Sequence, residues 1–126
     1  MAKTKEKSLY ERLGGYDAVA ALVDDLLERL FADKKVNGFW RGHSEDSRRK
    51  ERQLIVEFLC EAAGGPAHYL GRDMRTAHTG LKISGKDWDV VAGHLVASLD
   101  KFKVKGKTRE DVLSFVTSLR PDIVGI

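Results

Sequence analysis

The sequence predicts an all-α fold. Apolar residues recur three and four positions apart through most of the chain, Ser/Thr and acidic residues stand at capping spacing ahead of those runs, and no apolar–polar alternation of strand length interrupts them. Neither an internal repeat nor a low-complexity region is present.

Each element follows from local chemistry. Ser8 with Glu11 forms a capping box ahead of a very short first helix carrying Leu9, Tyr10 and Leu13, which Gly14-Gly15 stops. From Asp17, Val19, Leu22, Val23, Leu26, Leu27 and Leu30 trace one helical face while Asp24, Asp25, Glu28 and Arg29 fill the other. A turn bearing Val36, Phe39 and Trp40 follows, then a polar stretch from Arg41 to Asp46. A third helix is expected from Ser47 to Ala63, with Glu51, Ile55, Phe58, Leu59 and Ala62 on one side, ended by Gly64-Gly65-Pro66. After an irregular segment from Ala67 to Arg72, Asp73 caps a short helix from Met74 to Gly80, with His78 in its last turn. Ser84 with Asp87 opens the next helix, whose stripe is Trp88, Val91, Ala92, Leu95, Leu99 and Phe102. Thr108 with Asp111 opens the last, with Val112, Val116 and Leu119, and Pro121 closes it.

Composition bounds the function classes. A length of 126 residues with 42% hydrophobic residues suits one domain around one core. Residues 1–7 (MAKTKEK) read as a disordered polar tail, with a single domain over 8–126. No apolar run of signal-peptide or anchor kind follows the tail, so no membrane partner is expected. The single Cys60 excludes a disulfide framework and multi-thiolate zinc patterns, which favours a cytoplasmic location. With no base beside it, Cys60 reads as a buried helix residue rather than a nucleophile. The net charge of +3, from 22 basic and 19 acidic residues mixed along the same segments, implies no nucleic-acid partner. The runs Arg48, Arg49, Lys50, Arg52 and Lys103, Lys105, Lys107 read as solvated faces, since they lack interleaved exposed aromatics. The sequence specifies no oligomeric state.

The four histidines are the residues most able to carry chemistry. No two of His43, His68, His78 and His94 stand three or four apart, which argues against a multi-histidine metal site. One iron ligand plus a cofactor remains open. His94 lies in a packed stripe and reads as a hydrogen-bonded core or boundary residue. His68 reads as a loop residue. His43, between Trp40 and the third helix, could swing over a nearby iron. The bland reading of His78 is a helix-end residue favoured by the helix dipole.

The segment from Tyr69 to Ser84 carries a resemblance. With Tyr69, Gly71, Met74, His78 and Ile83 in order, it is similar to the iron-binding segment of group I truncated haemoglobins, the two-on-two globins. The paired glycines at Gly14-Gly15 and Gly64-Gly65-Pro66, and Val91-Ala92-Gly93-His94-Leu95, extend the likeness over roughly Leu9 to Leu119. The resemblance implies a truncated globin-like helical sandwich holding haem b, with His78 as its iron ligand. Met74 would lie against the ring one helical turn before His78, its carbonyl placed to accept the imidazole N–H. Arg72, Arg75 and Lys82 would pair with the propionates. Tyr69, Ile83, Phe58, Leu59, Val91, Leu95 and Val116 would line the slot.

The opposite side departs from the family. Many group I members hold the gas ligand with a Tyr on the second helix and a Gln on the third, and the matching positions here are Leu27 and Ile55. Trp40, where the family usually has Phe, together with Glu51, Phe58, His43 and Arg52, remains to touch the ligand, and a few residues are added between Arg41 and Ser47. The implied function is reversible binding of a diatomic gas: oxygen, nitric oxide or carbon monoxide. Storage, delivery, transport or sensing would be its use. Nitric oxide dioxygenase or peroxidase chemistry with a reductase partner is the alternative. A haem-free helical interaction module, in which Phe58, Leu59, Val91 and Val116 are only core, is the other.

Overall fold

The computed structural model describes residues 7–126, so the expected tail lies, apart from Lys7, outside the described residues. Six α-helices and two short 3-10 turns make up the regular structure there: α1 (Leu9–Leu13), α2 (Tyr16–Ala32), a 3-10 turn (Asn37–Trp40), α3 (Glu45–Ala62), α4 (Met74–His78), α5 (Gly85–Lys101), α6 (Gly106–Ser118) and a 3-10 turn (Arg120–Asp122). No strand occurs among the described residues. The all-α expectation therefore holds.

Capping explains where helices begin. Ser8 accepts from the Glu11 backbone N–H at the start of α1, and Ser84 from that of Asp87 at the start of α5, each with its acid bonding back to the cap. Three boundaries differ from expectation by two residues. α3 starts two residues before Ser47, because Ser44 takes the cap position and accepts from the Ser47 N–H at 3.0 Å, while Glu45 and Asp46 complement the helix dipole. α6 starts at Gly106 rather than at Thr108. The side chains of Thr108 and Asp111 instead receive the Arg12 guanidinium of α1, at 3.3 and 2.7 Å. α4 stops at His78, before Gly80, which adopts a left-handed φ of 87°.

Helix α2 is central, packing against α3 on one side and α5 on the other. Its stripe divides accordingly. Val19, Val23, Leu27 and Leu30 join Val36, Val56 and Cys60 in one cluster, whereas Leu22 joins Leu95, Leu99 and Val112 in a second. Asp25 is the buried exception on this helix. Its carboxylate accepts from Ser98 at 2.7 Å, Lys101 at 2.9 Å and Arg29 at 2.8 Å, tying α2 to α5. Burial, more than the nearby charge of Glu57, pushes the Cys60 thiol above its ordinary pKa, which leaves it inert as expected.

The glycine corners work by close approach. The Tyr10 N–H donates to the Ala63 carbonyl at 2.9 Å, which lays the Tyr10 ring on Gly65, and a Cβ there would sit 2.5 Å from that ring. Gly65→Ala is therefore expected to cost about 1–3 kcal/mol through overpacking. Thermal or denaturant unfolding of the variant checks this, and an unchanged midpoint would contradict the contact.

Candidate functional site

The candidate site residues lie on α3, α4, α5 and α6, where Phe58, Met74, Val91 and Val116 are half-buried. His78 closes α4, and its Nδ1 stands 2.7 Å from the Met74 carbonyl oxygen one turn earlier. A carbonyl oxygen only accepts, so the proton lies on Nδ1 and the Nε2 lone pair is free. The structure gives Nε2 no hydrogen bond among the described residues. A neutral imidazole with a fixed tautomer and a free lone pair is the donor that a single metal ligand requires. No group of three or more His, Cys, Asp or Glu able to hold a metal occurs among the described residues.

The loop before α4 is built around Tyr69. Its backbone N–H donates to Glu61 at 3.0 Å and its hydroxyl donates to the Arg72 carbonyl, curling the chain over Gly71, where a Cβ would clash with that hydroxyl. Burial raises the Tyr69 hydroxyl above its ordinary pKa, so it remains a donor. Phe58 of α3 packs edge-on against the Tyr69 ring at 5.1 Å and against Phe115 of α6 at 6.0 Å. Phe115 lies outside the apolar stripe expected for its helix. Its nearness to Phe58 depends on how two helices far apart in the sequence come together, and no local spacing signals it.

Ile55, Leu59, Val91 and Trp40 pack against the cluster that contains Leu27. Leu27 is itself a buried core residue, 7% exposed. Leu95 is buried in the second cluster, with Val116 packed beside it. After α4, the chain is pinned by the Gly125 N–H donating to the Ile83 carbonyl at 2.9 Å, and Ile83 is half-buried. Arg72 and Lys82 are exposed and form no ion pair among the described residues. Arg75 instead reaches Asp122 at 3.3 Å and the Pro121 carbonyl at 3.4 Å, holding α4 to the final 3-10 turn.

On the other side, the Trp40 indole N–H donates to Glu51 at 2.9 Å, and His43 lies 3.7 Å from the second Glu51 oxygen. Phe31 steadies Trp40 edge-to-face at 5.3 Å, and the Arg48 guanidinium covers Phe31 at 4.7 Å. Arg52 turns away to Asp24, at 2.8 and 3.0 Å. The other two histidines match their expected roles. His94 is half-buried with Nε2 at 2.7 Å from Asp33, an interaction that holds the Asp33 carboxyl below its ordinary pKa, helped by the Lys35 backbone N–H. The His68 side chain is 89% exposed, 3.8 Å from Glu61.

Residues 8–124 match the family model described as bacterial-like globin. A group 1 truncated hemoglobin, GlbN, of Mycolicibacterium paratuberculosis is 35% identical over 121 residues, covering 96% of this chain and 87% of that protein. The ferric truncated hemoglobin of Tetrahymena pyriformis superposes with a TM-score of 0.85 at 28% identity, covering 95% of this chain and 100% of its own. The 2/2 hemoglobin of a Synechococcus species, solved in the cyanomet state with covalently attached heme, has a TM-score of 0.85 at 29% identity, with the same coverage.

Proposed function

The chain belongs to the bacterial-like globin family, whose members imply haem-based gas binding, and from that premise we propose that His78 holds haem b in a single domain over 8–126 for reversible binding of a diatomic gas. The observation that carries this reading is the bond from His78 Nδ1 to the Met74 carbonyl, which leaves Nε2 as the lone-pair donor. The apolar residues that fit the group are half-buried rather than core: Ile55, Phe58, Leu59, Met74, Ile83, Val91 and Val116. When bound, haem supplies an iron with one coordination position for a small ligand.

The chain's own residues do the rest. Met74 keeps the proton on Nδ1 through its carbonyl, and its side chain would lie against the ring. Arg72 and Lys82 would pair with the propionates, while Arg75 serves chiefly to hold α4 on Asp122. Leu27 and Ile55 offer the gas ligand no donor. We further propose that the protein works in the cytoplasm on oxygen, nitric oxide or carbon monoxide, drawing electrons from a reductase.

A surround in which Leu27 and Ile55 offer no donor has a kinetic consequence. A hydrogen bond to a polar ligand is worth about 1–3 kcal/mol, so oxygen is expected to leave roughly ten- to a hundredfold faster than from a Leu27→Tyr variant, with carbon monoxide changed much less. Stopped-flow dissociation rates for both gases test this. Slow oxygen release that persists after replacing Trp40 and His43 would sink the apolar-pocket reading.

A further inference from the structure

We propose that Glu51, tethered by the Trp40 indole, sorts ligands at this site, favouring neutral ligands with a proton to donate, such as water or hydrogen peroxide, over anions such as azide. This inference rests on the haem reading above.

On α3, Glu51 stands four residues before Ile55 and seven before Phe58, so it opens the helical face that those side chains continue toward the site. Its side chain is 35% exposed and is not free to roam, because a tryptophan N–H can only donate and Oε1 accepts it at 2.9 Å. Trp40 is itself wedged against Phe31. The second oxygen, Oε2, lies 3.7 Å from His43, beyond hydrogen-bonding distance, and so keeps its capacity to accept. A carboxylate held this way, with no donor of its own, stabilises a ligand that brings a proton. It repels one that brings negative charge. Leu27 and Ile55 carry no polar group to offset it, and the nearby Arg52 is taken up by Asp24.

The test uses the haem-loaded ferric chain titrated with azide at neutral pH, and the ferrous chain with carbon monoxide. Glu51→Gln supplies an N–H in place of an oxygen, so azide affinity is expected to rise about ten- to a hundredfold, with carbon monoxide affinity held within about twofold. Trp40→Phe keeps the carboxylate but releases it, and is expected to raise azide affinity by a smaller factor. Azide affinity unchanged in both variants, or azide and carbon monoxide affinities rising together, overturns the proposal, the latter because it marks a general opening of the pocket. Should Glu51→Gln fail to fold, the Trp40→Phe arm decides alone. A wild-type chain that shows no Soret band with haem overturns the haem reading itself, an outcome distinct from unchanged azide binding in a loaded protein.

Discussion

His78→Gly is expected to abolish the intense Soret absorption that the proposed haem site gives the wild-type chain. On the proposed reading His78 is the iron ligand, its ring held by the 2.7 Å contact with the Met74 carbonyl. Loss of an outer partner of a metal-bound imidazole typically costs about 10–100-fold in affinity, and loss of the ligand itself costs more. The partner here is a backbone carbonyl, so it survives the substitution and stays available to a replacement ring. Free imidazole added to His78→Gly should therefore restore much of the band. Glycine at the last position of α4 costs at most about 1 kcal/mol of helix stability, so a folded variant is expected by circular dichroism. An unchanged Soret band in folded His78→Gly would defeat the assignment, and equal loss in His94→Gly would show that it lacks specificity.

Asp25→Ala is expected to be the most destabilising single change outside the site. The variant removes three hydrogen bonds and strands the Ser98 hydroxyl, which is 0% exposed, without its acceptor. The side chains of Arg29 and Lys101 are 34% and 58% exposed, so water still solvates them. The cost should therefore fall below that of an orphaned buried charge, at about 2–4 kcal/mol. That corresponds to a fall in Tm of roughly 10 °C or more, measurable by calorimetry.

A pH dependence follows from the same carboxylate. Hydrogen bonds from Arg29 first and Lys101 second, with a smaller one from Ser98, outweigh desolvation and hold the Asp25 carboxyl far below its ordinary 3.8. A depressed value means that the stabilisation is complete above the unfolded pKa and is lost as pH falls through the folded one. The stability gap between wild type and Asp25→Asn should thus be constant near neutrality and shrink below about pH 4. A gap that does not change with acidification would contradict this role.

Much of the fold is legible in the sequence, and the reasons are local. The capping boxes at Ser8 and Ser84, the apolar period of α2 and the glycine corners depend on residues within a few positions of one another. Boundaries go astray where a distant group intervenes, as when Arg12 of α1 occupies Thr108 and Asp111, the residues that seemed to cap α6. The candidate site divides in the same way. Met74 and His78 stand four apart, and helical geometry alone brings the carbonyl to the ring nitrogen.

What the sequence by itself determined is thus the set of helices, their apolar faces and the identity of the one histidine with a built-in partner. The tertiary structure alone decided which faces meet. His94 reaches Asp33 across 61 residues, Asp25 reaches Ser98 across 73, and Phe58 finds Phe115 on another helix. It also decided that Arg75 is held by Asp122 and that Glu51 is tied to Trp40. The physical reason is that helical periodicity records which side of an element is apolar, whereas the rotation and approach of two packed helices emerge only when all their side chains interlock.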